Sequence, residues 1–166
     1  MKNSRKKSSH LQIFRAGVGA VIINESGQVL GLERKHILGA WQFPQGGLKQ
    51  DEAPLDAVVR EVLEETGIEE GNLELLASSS RWLAYELPEE ARTEKVGRGQ
   101  VQKWFLFRFT GPDEAITMGD GKEFRAWKWM SIAELTSNVV SFKRPVYQEL
   151  TKEFKSYLEN GEITKD

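Results

Sequence analysis

A chain of 166 residues, 39% hydrophobic and 29% charged, has the size and balance of one ordinary globular domain. Its 23 Lys and Arg against 25 Asp and Glu leave a formal charge of −2, which argues against both a strongly basic nucleic-acid binder and an acidic disordered chain. Cysteine is absent and the two histidines are His10 and His36, so thiolate nucleophiles, sulfur-held metals, imidazole-rich metal sites and a Ser-His-Asp arrangement are poorly supplied, leaving carboxylates as the reactive groups.

Residues 1–10 carry Lys2, Arg5, Lys6 and Lys7 without a following apolar run and read as a flexible basic arm, not a secretory signal. A single domain is expected over residues 11–159, followed by a polar tail at 160–166. The apolar runs fall far short of the roughly 20 residues that cross a bilayer, so a soluble, cytoplasmic protein is expected. Residues 15–24, with Val18, Ala20, Val21, Ile22 and Ile23, suit a buried strand, and Glu25-Ser26-Gly27 turns the chain into a second strand at 28–33 as a hairpin. Gly17-Val18-Gly19 lacks the third glycine and the following helix of a dinucleotide-binding fold. A short strand at 41–43 meets Pro44 and a Gly46-Gly47 loop.

Residues 52–66 read as a helix with Leu55, Val58, Val59 and Val62 on one apolar face, Asp51 as N-cap, Pro54 in the first turn and Gly67 as the stop. Strands follow at 73–87 and 100–110, joined by a polar connection at 88–99. In the second of these, Val101, Phe105, Phe107 and Phe109 alternate with Trp104 and Leu106, the pattern of a central strand covered on both faces. A strand at 124–130 precedes a short helix capped by Ser131. The last helix, 143–158, carries Val146, Leu150, Phe154 and Leu158 along one stripe. Strands mixed with two or three helices imply an α/β or α+β sandwich.

The informative stretch is residues 46–68, where the glycine loop leads into a helix bearing Glu52, Asp56, Arg60, Glu61, Glu64 and Glu65. At about 100° per residue, Glu61, Glu64 and Glu65 share one arc of roughly 100°, centred about 120° from the apolar stripe. They stand in the last two turns before Gly67, where the helix dipole penalises each anion by about 0.3–1 kcal/mol. Arg60 is one cation against three anions. A hard divalent ion relieves the excess, and Mg²⁺ prefers carboxylates, waters and phosphate oxygens to a full protein cage. The plain alternative, for the three glutamates alone, is a solvated acidic face relieved by Arg60 and nearby lysines.

Gly46, five residues, Glu52, seven residues, then Arg60-Glu61-Val62-Leu63-Glu64-Glu65-Thr66-Gly67-Ile68 matches the Nudix box at every specified position. The chain therefore resembles the Nudix hydrolases. That resemblance implies an α/β/α sandwich with a mixed β-sheet and hydrolysis of a nucleoside diphosphate linked to another group. It also implies that Glu61, Glu64 and Glu65 are metal ligands, that Gly46 lends a backbone carbonyl, and that Glu52 pairs with Arg60 to hold the loop against the helix.

The runs at 41–47 (WQFPQGG), 99–105 (GQVQKWF) and 141–147 (SFKRPVY) resemble the branch containing bacterial RNA pyrophosphohydrolases and the diadenosine tetraphosphate hydrolases of bacteria and plants. The likeness spans about residues 14–157. Tyr85, beyond the box, stands where members acting on dinucleoside polyphosphates carry a tyrosine, while the proline of ADP-ribose enzymes is missing there and the next proline is Pro88. A chain of phosphates needs cations, for which Arg15 leads, followed by Arg34, Lys103, Lys143 and Arg144, with Lys35 and Arg98 the weaker candidates. Stacking contributes about 1–3 kcal/mol per base, and Tyr85 and Phe142 are the candidate stacking partners.

The expected mechanism has two or more Mg²⁺ ions, with Mn²⁺ as an alternative, lowering the pKa of a water that attacks phosphorus in line. Glu65 or Glu123 takes the proton, and Glu123 stands where the resembled enzymes have an added catalytic or metal-binding glutamate; Glu114 is the second choice. The expected substrates are a nucleoside polyphosphate or an RNA 5′ end, with no membrane and no obligate protein partner. Two other readings share the scaffold: hydrolysis of free nucleoside triphosphates, and a binding module without turnover. The module would be expected to lose its box carboxylates, and all are present here.

Overall fold

Residues 12–158 are described by the computed structural model, so the expected arm and tail lie outside the described residues. In chain order the strands are β1 (Phe14–Ile23), β2 (Val29–Arg34), β3 (Trp41–Gln42), β4 (Gln45–Gly47), β5 (Leu73–Ser78), β6 (Leu83–Glu86), β7 (Gly99–Phe109) and β8 (Phe124–Met130). The helices are α1 (Pro54–Thr66), α2 (Ile132–Asn138) and α3 (Arg144–Glu153).

The apolar alternation of β1 and β7 places them at the centre. They pair in parallel from Phe14↔Gly99 to Ile23↔Arg108, while the other pairings are antiparallel, which makes the sheet mixed. The main strand order is β3-β2-β1-β7-β5, with β4 on β1, β6 on β7 and β8 on β2. Even-numbered Val18, Ala20 and Ile22 join odd-numbered Phe105, Phe107 and Phe109 under Ala57, Val58 and Val62 of α1. Val21, Ile23, Trp104 and Leu106 point the other way, to Leu135 of α2 and Val146, Tyr147 and Leu150 of α3. Helices on both faces of one mixed sheet are the expected α/β/α sandwich. Among the described residues no helix is long and apolar enough to cross a membrane.

Several local expectations change. The hairpin partners β1 and β2 meet in antiparallel register only at Ile23↔Val29, because β4 takes the flank of β1 at Gly17–Gly19 while β2 pairs with β3 and β8. The Gly46-Gly47 segment is thus part of a strand. The single strand expected at 73–87 is β5 and β6, both laid against β7. Between them the Ser79 N–H donates to the Trp104 carbonyl at 2.7 Å and the Ser79 hydroxyl accepts the Trp104 N–H at 3.1 Å, so side-chain bonding replaces the ladder there.

Helix α1 begins at Pro54 with Ala53 as its N-cap, without a side-chain cap, and not at Asp51. Proline disfavours helical geometry in the residue before it, and Ala53 is accordingly extended, with φ −69° and ψ 143°. Leu55, expected on the buried face, is exposed. Gly67 ends the helix as expected, at φ 78°, its N–H donating to the Leu63 carbonyl. The last helix runs over Arg144–Glu153 after a turn at Ser141–Lys143, and the helical path breaks at Phe154 before residues 155–158.

One buried contact fixes the segment that carries the site. The Phe43 N–H donates to the Tyr147 hydroxyl at 2.9 Å, with both residues fully buried. Tyr147→Phe leaves that N–H without a partner and is expected to cost about 1–3 kcal/mol. A melting temperature unchanged from the parent in thermal denaturation would contradict this.

Candidate active site

The last two turns of α1 deliver the box carboxylates, and each meets a different environment. Arg60 is the organiser. Its Nε donates to Glu52 Oε2 at 2.8 Å and its Nη2 to Glu52 Oε1 at 2.9 Å, while Nη1 reaches Glu61 Oε1 at 2.8 Å and Nη2 the Gly47 carbonyl at 3.0 Å. The Lys49 N–H adds a bond to Glu52 Oε1 at 3.1 Å. One guanidinium thus ties the segment before the helix, the β4 end and the box helix together. The Arg60 hydrogen bonds and the Lys49 amide hold the Glu52 carboxyl down at about 2, and the same pairing raises the proton affinity of Arg60. Arg60→Ala removes the common partner of Glu52, Glu61 and Gly47 and is expected to lower activity roughly 10–100-fold, as loss of a group orienting metal ligands does. Steady-state kinetics on the folded variant would check it.

Glu61, Glu64 and Glu65 are not equivalent. Glu64 is exposed, and the Arg60 Nη1 stands 3.5 Å from its Oε1. Glu65 is 6% exposed, and its Oε2 accepts the Gln45 N–H at 3.1 Å. Burial pushes the Glu65 carboxyl well above the usual carboxylate range, reinforced by the negative charges of Glu123 and Glu61. Burial also raises Glu61, against the lowering effect of Arg60. Crowded, desolvated oxygen acids of this kind suit a hard divalent cation, which removes the repulsion that burial amplifies. Among the described residues no three acidic or imidazole side chains form a ready-made cage. An ion here would complete its shell with waters and phosphate oxygens, as Mg²⁺ does.

Gly46 sits against this group so closely that a methyl in place of its α-hydrogen would overlap the Glu61 carboxylate. Beside them opens a cavity of about 810 Å³, with Glu61 and Glu123 in its lining. Arg15 of β1, Arg34 of β2, Lys143 at the end of the Ser141–Lys143 turn, and the loop residues Lys95 and Lys122 supply its cations. The space is therefore acidic near the box helix and cationic elsewhere, the charge pattern of a metal-bridged polyanion.

The structure brings some of the sequence-predicted residues to this cavity and not others. Gly46, Glu61, Glu123, Arg15 and Lys143 line it. Arg15 also donates from Nη2 to the Glu94 carbonyl at 2.8 Å. Lys143 is buried, donates to Gln42 Oε1 at 3.2 Å and lies 5.6 Å from the centre of the Tyr85 ring. Burial and the positive charge of Arg34 lower its ammonium to about 8. Tyr85 is buried behind that ammonium, 5.7 Å from the Phe142 ring, so these two aromatics back the cavity without lining it.

Glu64, Glu65, Arg98, Lys35, Lys103, Arg144 and Glu114 stand outside the lining. Lys35 braces the loop that carries Lys122 and Glu123, its Nζ donating to the Gly121 carbonyl at 3.2 Å and its N–H to the Glu123 carbonyl at 2.8 Å. Lys103 donates to the Ser79 carbonyl, and Arg144 donates from Nε to the Thr136 carbonyl of α2 at 3.0 Å. Glu114 lies exposed on the turn Asp113–Ala115. Sequence reasoning assigned no role to Gln42, Gln45 and Gln100, or to His36, Lys95 and Lys122, all of which line the cavity. The glutamines stand in the very runs that carry the branch resemblance, which was a usable signal. Lys95 and Lys122 come from polar loops and offered none.

The NUDIX domain profile matches residues 13–150, which contain the whole of this site. This chain belongs to the Nudix family. It is 43% identical over 158 residues to the RNA pyrophosphohydrolase of Pseudomonas putida (strain GB-1), a match covering 92% of this chain and 96% of the relative. Over 156 residues it is 41% identical to the chloroplastic Nudix hydrolase 26 of Arabidopsis thaliana, covering 88% and 71%. Among solved structures, a Caenorhabditis elegans Ap4A hydrolase binary complex superposes with a TM-score of 0.65 at 19% identity, covering 86% of this chain and 98% of that one. That likeness is one of fold. As a Nudix hydrolase the chain is an enzyme of the pyrophosphohydrolase type, in a family that works with divalent metals.

Proposed function

We propose that this Nudix hydrolase cleaves the phosphoanhydride chain of substrates with a large second group, either dinucleoside polyphosphates such as diadenosine tetraphosphate or the 5′-triphosphate of RNA, with Mg²⁺ as its ion. The observation that carries this reading is the cavity in which Glu61 and Glu123 face the same space as Arg15, Arg34 and Lys143. The identity with relatives named RNA pyrophosphohydrolase supports the RNA arm. The proposal includes a cytoplasmic setting, with no obligate protein partner.

Glu61, Glu64, Glu65 and Glu123, with the Gly46 carbonyl, would hold the ion, which when bound neutralises phosphate charge and acidifies a water enough to make it a nucleophile. The chain's own residues do the remainder. Arg15, Arg34 and Lys143 hold phosphate oxygens by charge-assisted hydrogen bonds. Glu65 takes the proton of the attacking water on Oε1, the oxygen not held by Gln45, with Glu123 the other carboxylate placed to do so. Arg60 and Glu52 keep the box helix and β4 in register during attack. Lys35 supports this indirectly, as the brace of the Lys122–Glu123 loop, while Tyr85 and Phe142 form an aromatic backing for Lys143. For Lys103 the contact with the Ser79 carbonyl supports a structural role between β5 and β7.

The substrate reading is tested by incubating the enzyme with diadenosine tetraphosphate, 5′-triphosphorylated RNA and free nucleoside triphosphates, and separating the products by chromatography. One of the first two should be consumed fastest. Preferential hydrolysis of free triphosphates would replace the proposal with a house-cleaning role, and nucleotide binding without product would leave a non-catalytic module.

The free-enzyme pH profile gives a separate check. Lys143, lowered to about 8, is cationic below that pH and neutral above it. Its hold on a polyanion is therefore lost as pH rises, and kcat/KM, which reports free-enzyme ionisations, should fall through about pH 8. Lys143→Arg, charged throughout, should remove that limb of the profile. A limb that persists in the arginine variant would assign it to another group.

A further inference from the structure

Behind the cavity lies a chain of amides that the metal and phosphate chemistry leaves unused. Gln102 of β7 is wholly buried. Its Nε2 donates to Gln100 Oε1 at 3.0 Å and to Gln45 Oε1 at 3.3 Å, while its own Oε1 has no partner. Both acceptor residues line the cavity; Gln102 does not. We propose that Gln102 is a positioning residue that turns the amide of Gln100 so that it offers N–H donors, not its carbonyl oxygen, to a polyphosphate substrate.

The donor pattern follows from bookkeeping of the groups. An amide that presents its oxygen to Gln102 must present its nitrogen elsewhere. The Gln45 amide also hydrogen-bonds the buried Tyr85 hydroxyl. Among the described residues no hydrogen bond takes up the Gln100 Nε2, which leaves both its hydrogens for the cavity. Reversing all the amides would exchange an unpartnered buried oxygen on Gln102 for an unpartnered buried N–H, the rarer and costlier defect. Gln42, the third glutamine of the wall, is set in the same manner by a partner of fixed sense: its Oε1 accepts from the Lys143 ammonium at 3.2 Å. Room for the arrangement comes from Gly17 on β1, where a side chain would crowd the Gln100 oxygen and the Gly46 carbonyl.

The inference rests on the reading that the cavity holds a polyphosphate, so its test includes a measurement that does not need turnover. Gln102→Met keeps the side chain's length and removes both donors. Its affinity for inorganic tripolyphosphate in calorimetry is expected to fall about tenfold, with KM for diadenosine tetraphosphate rising by a similar factor and kcat changing less than about threefold. In a Gln100→Met background the same substitution should add less than about threefold, because Gln102 acts through Gln100. Should Gln102→Met melt early, Gln102→Asn, which keeps the amide but withdraws it from both acceptors, must give the same loss of tripolyphosphate affinity. Parental affinity in the folded Met or Asn variant, or full additivity with Gln100→Met, overturns the inference. So does a parent enzyme that binds no tripolyphosphate. A parent that binds tripolyphosphate but hydrolyses none of the nucleotide substrates would sink the proposed function alone.

Discussion

Glu65→Gln is expected to reduce divalent-metal-dependent turnover roughly 10²–10⁴-fold, the range for loss of a positioned acid–base group at a metal-assisted site. The substitution is nearly isosteric, and the Gln45 N–H that now donates to Glu65 Oε2 would still find an amide oxygen. What disappears is a buried negative charge whose proton affinity is raised by desolvation and by Glu123 and Glu61. The folded state should therefore be as stable as the parent or more so at neutral pH. Deprotonating this carboxyl opposes folding: its folded proton affinity exceeds that of the unfolded chain, so the stability it lends is present at low pH and lost as pH rises. Glu64→Gln should also cost orders of magnitude in turnover while moving stability little, because Glu64 is already exposed. Kinetics and thermal melts on the two variants, measured together, separate catalysis from folding. Parental turnover in both would remove the carboxylates from the mechanism.

Gly46→Ala should lower turnover about 100-fold, the scale of an ångström-sized misplacement of reacting groups. The new methyl would overlap the end of the Glu61 side chain, which is flexible and can swing aside. Folding should therefore survive. The displaced carboxylate would lose its bond from Arg60 Nη1, and the β4 strand that holds Gly46 against Val18 would carry the strain. Exchange-resistant amides in β1 and β7 and a nearly unchanged melting temperature, together with the lost turnover, would distinguish local displacement from unfolding. An alanine variant with parental kinetics would mean that the Glu61 position is not critical to the reaction.

Much of the fold was legible because it depends on periodicity. The two-faced apolar alternation of β7 and the i, i+3, i+4 stripe of α1 specify a central strand and a covering helix wherever they occur. Boundaries were less legible. Asp51 has the chemistry of an N-cap, yet Pro54 dictates an extended Ala53 and moves the start of α1 past it. The break between β5 and β6 depends on Ser79 bonding Trp104, a residue far along the chain. Within the site, the box glutamates and Arg60 could be named from spacing because they share one helix. Lys35 and Lys103 could not be assigned by type, since a lysine that braces a loop and one that grips a phosphate read alike in a string of letters.

Taken alone, the order of residues determined a cluster of carboxylates on one helix face and a mixture of strands and helices, because short-range spacing and alternation settle those features, while the family and its α/β/α sandwich were legible through the match to the Nudix box. Tertiary structure decided which cations reach the cavity, that Glu65 is buried while Glu64 is not, and that three glutamines form a donor chain with Gln102 at its root. The physical reason is distance along the chain: Gln45, Gln100 and Lys143 meet only because β4 displaces β2 from the flank of β1, and β7 pairs in parallel on its other side. Desolvation, which raises Glu65 and lowers Lys143, likewise arises only when those segments close over one another.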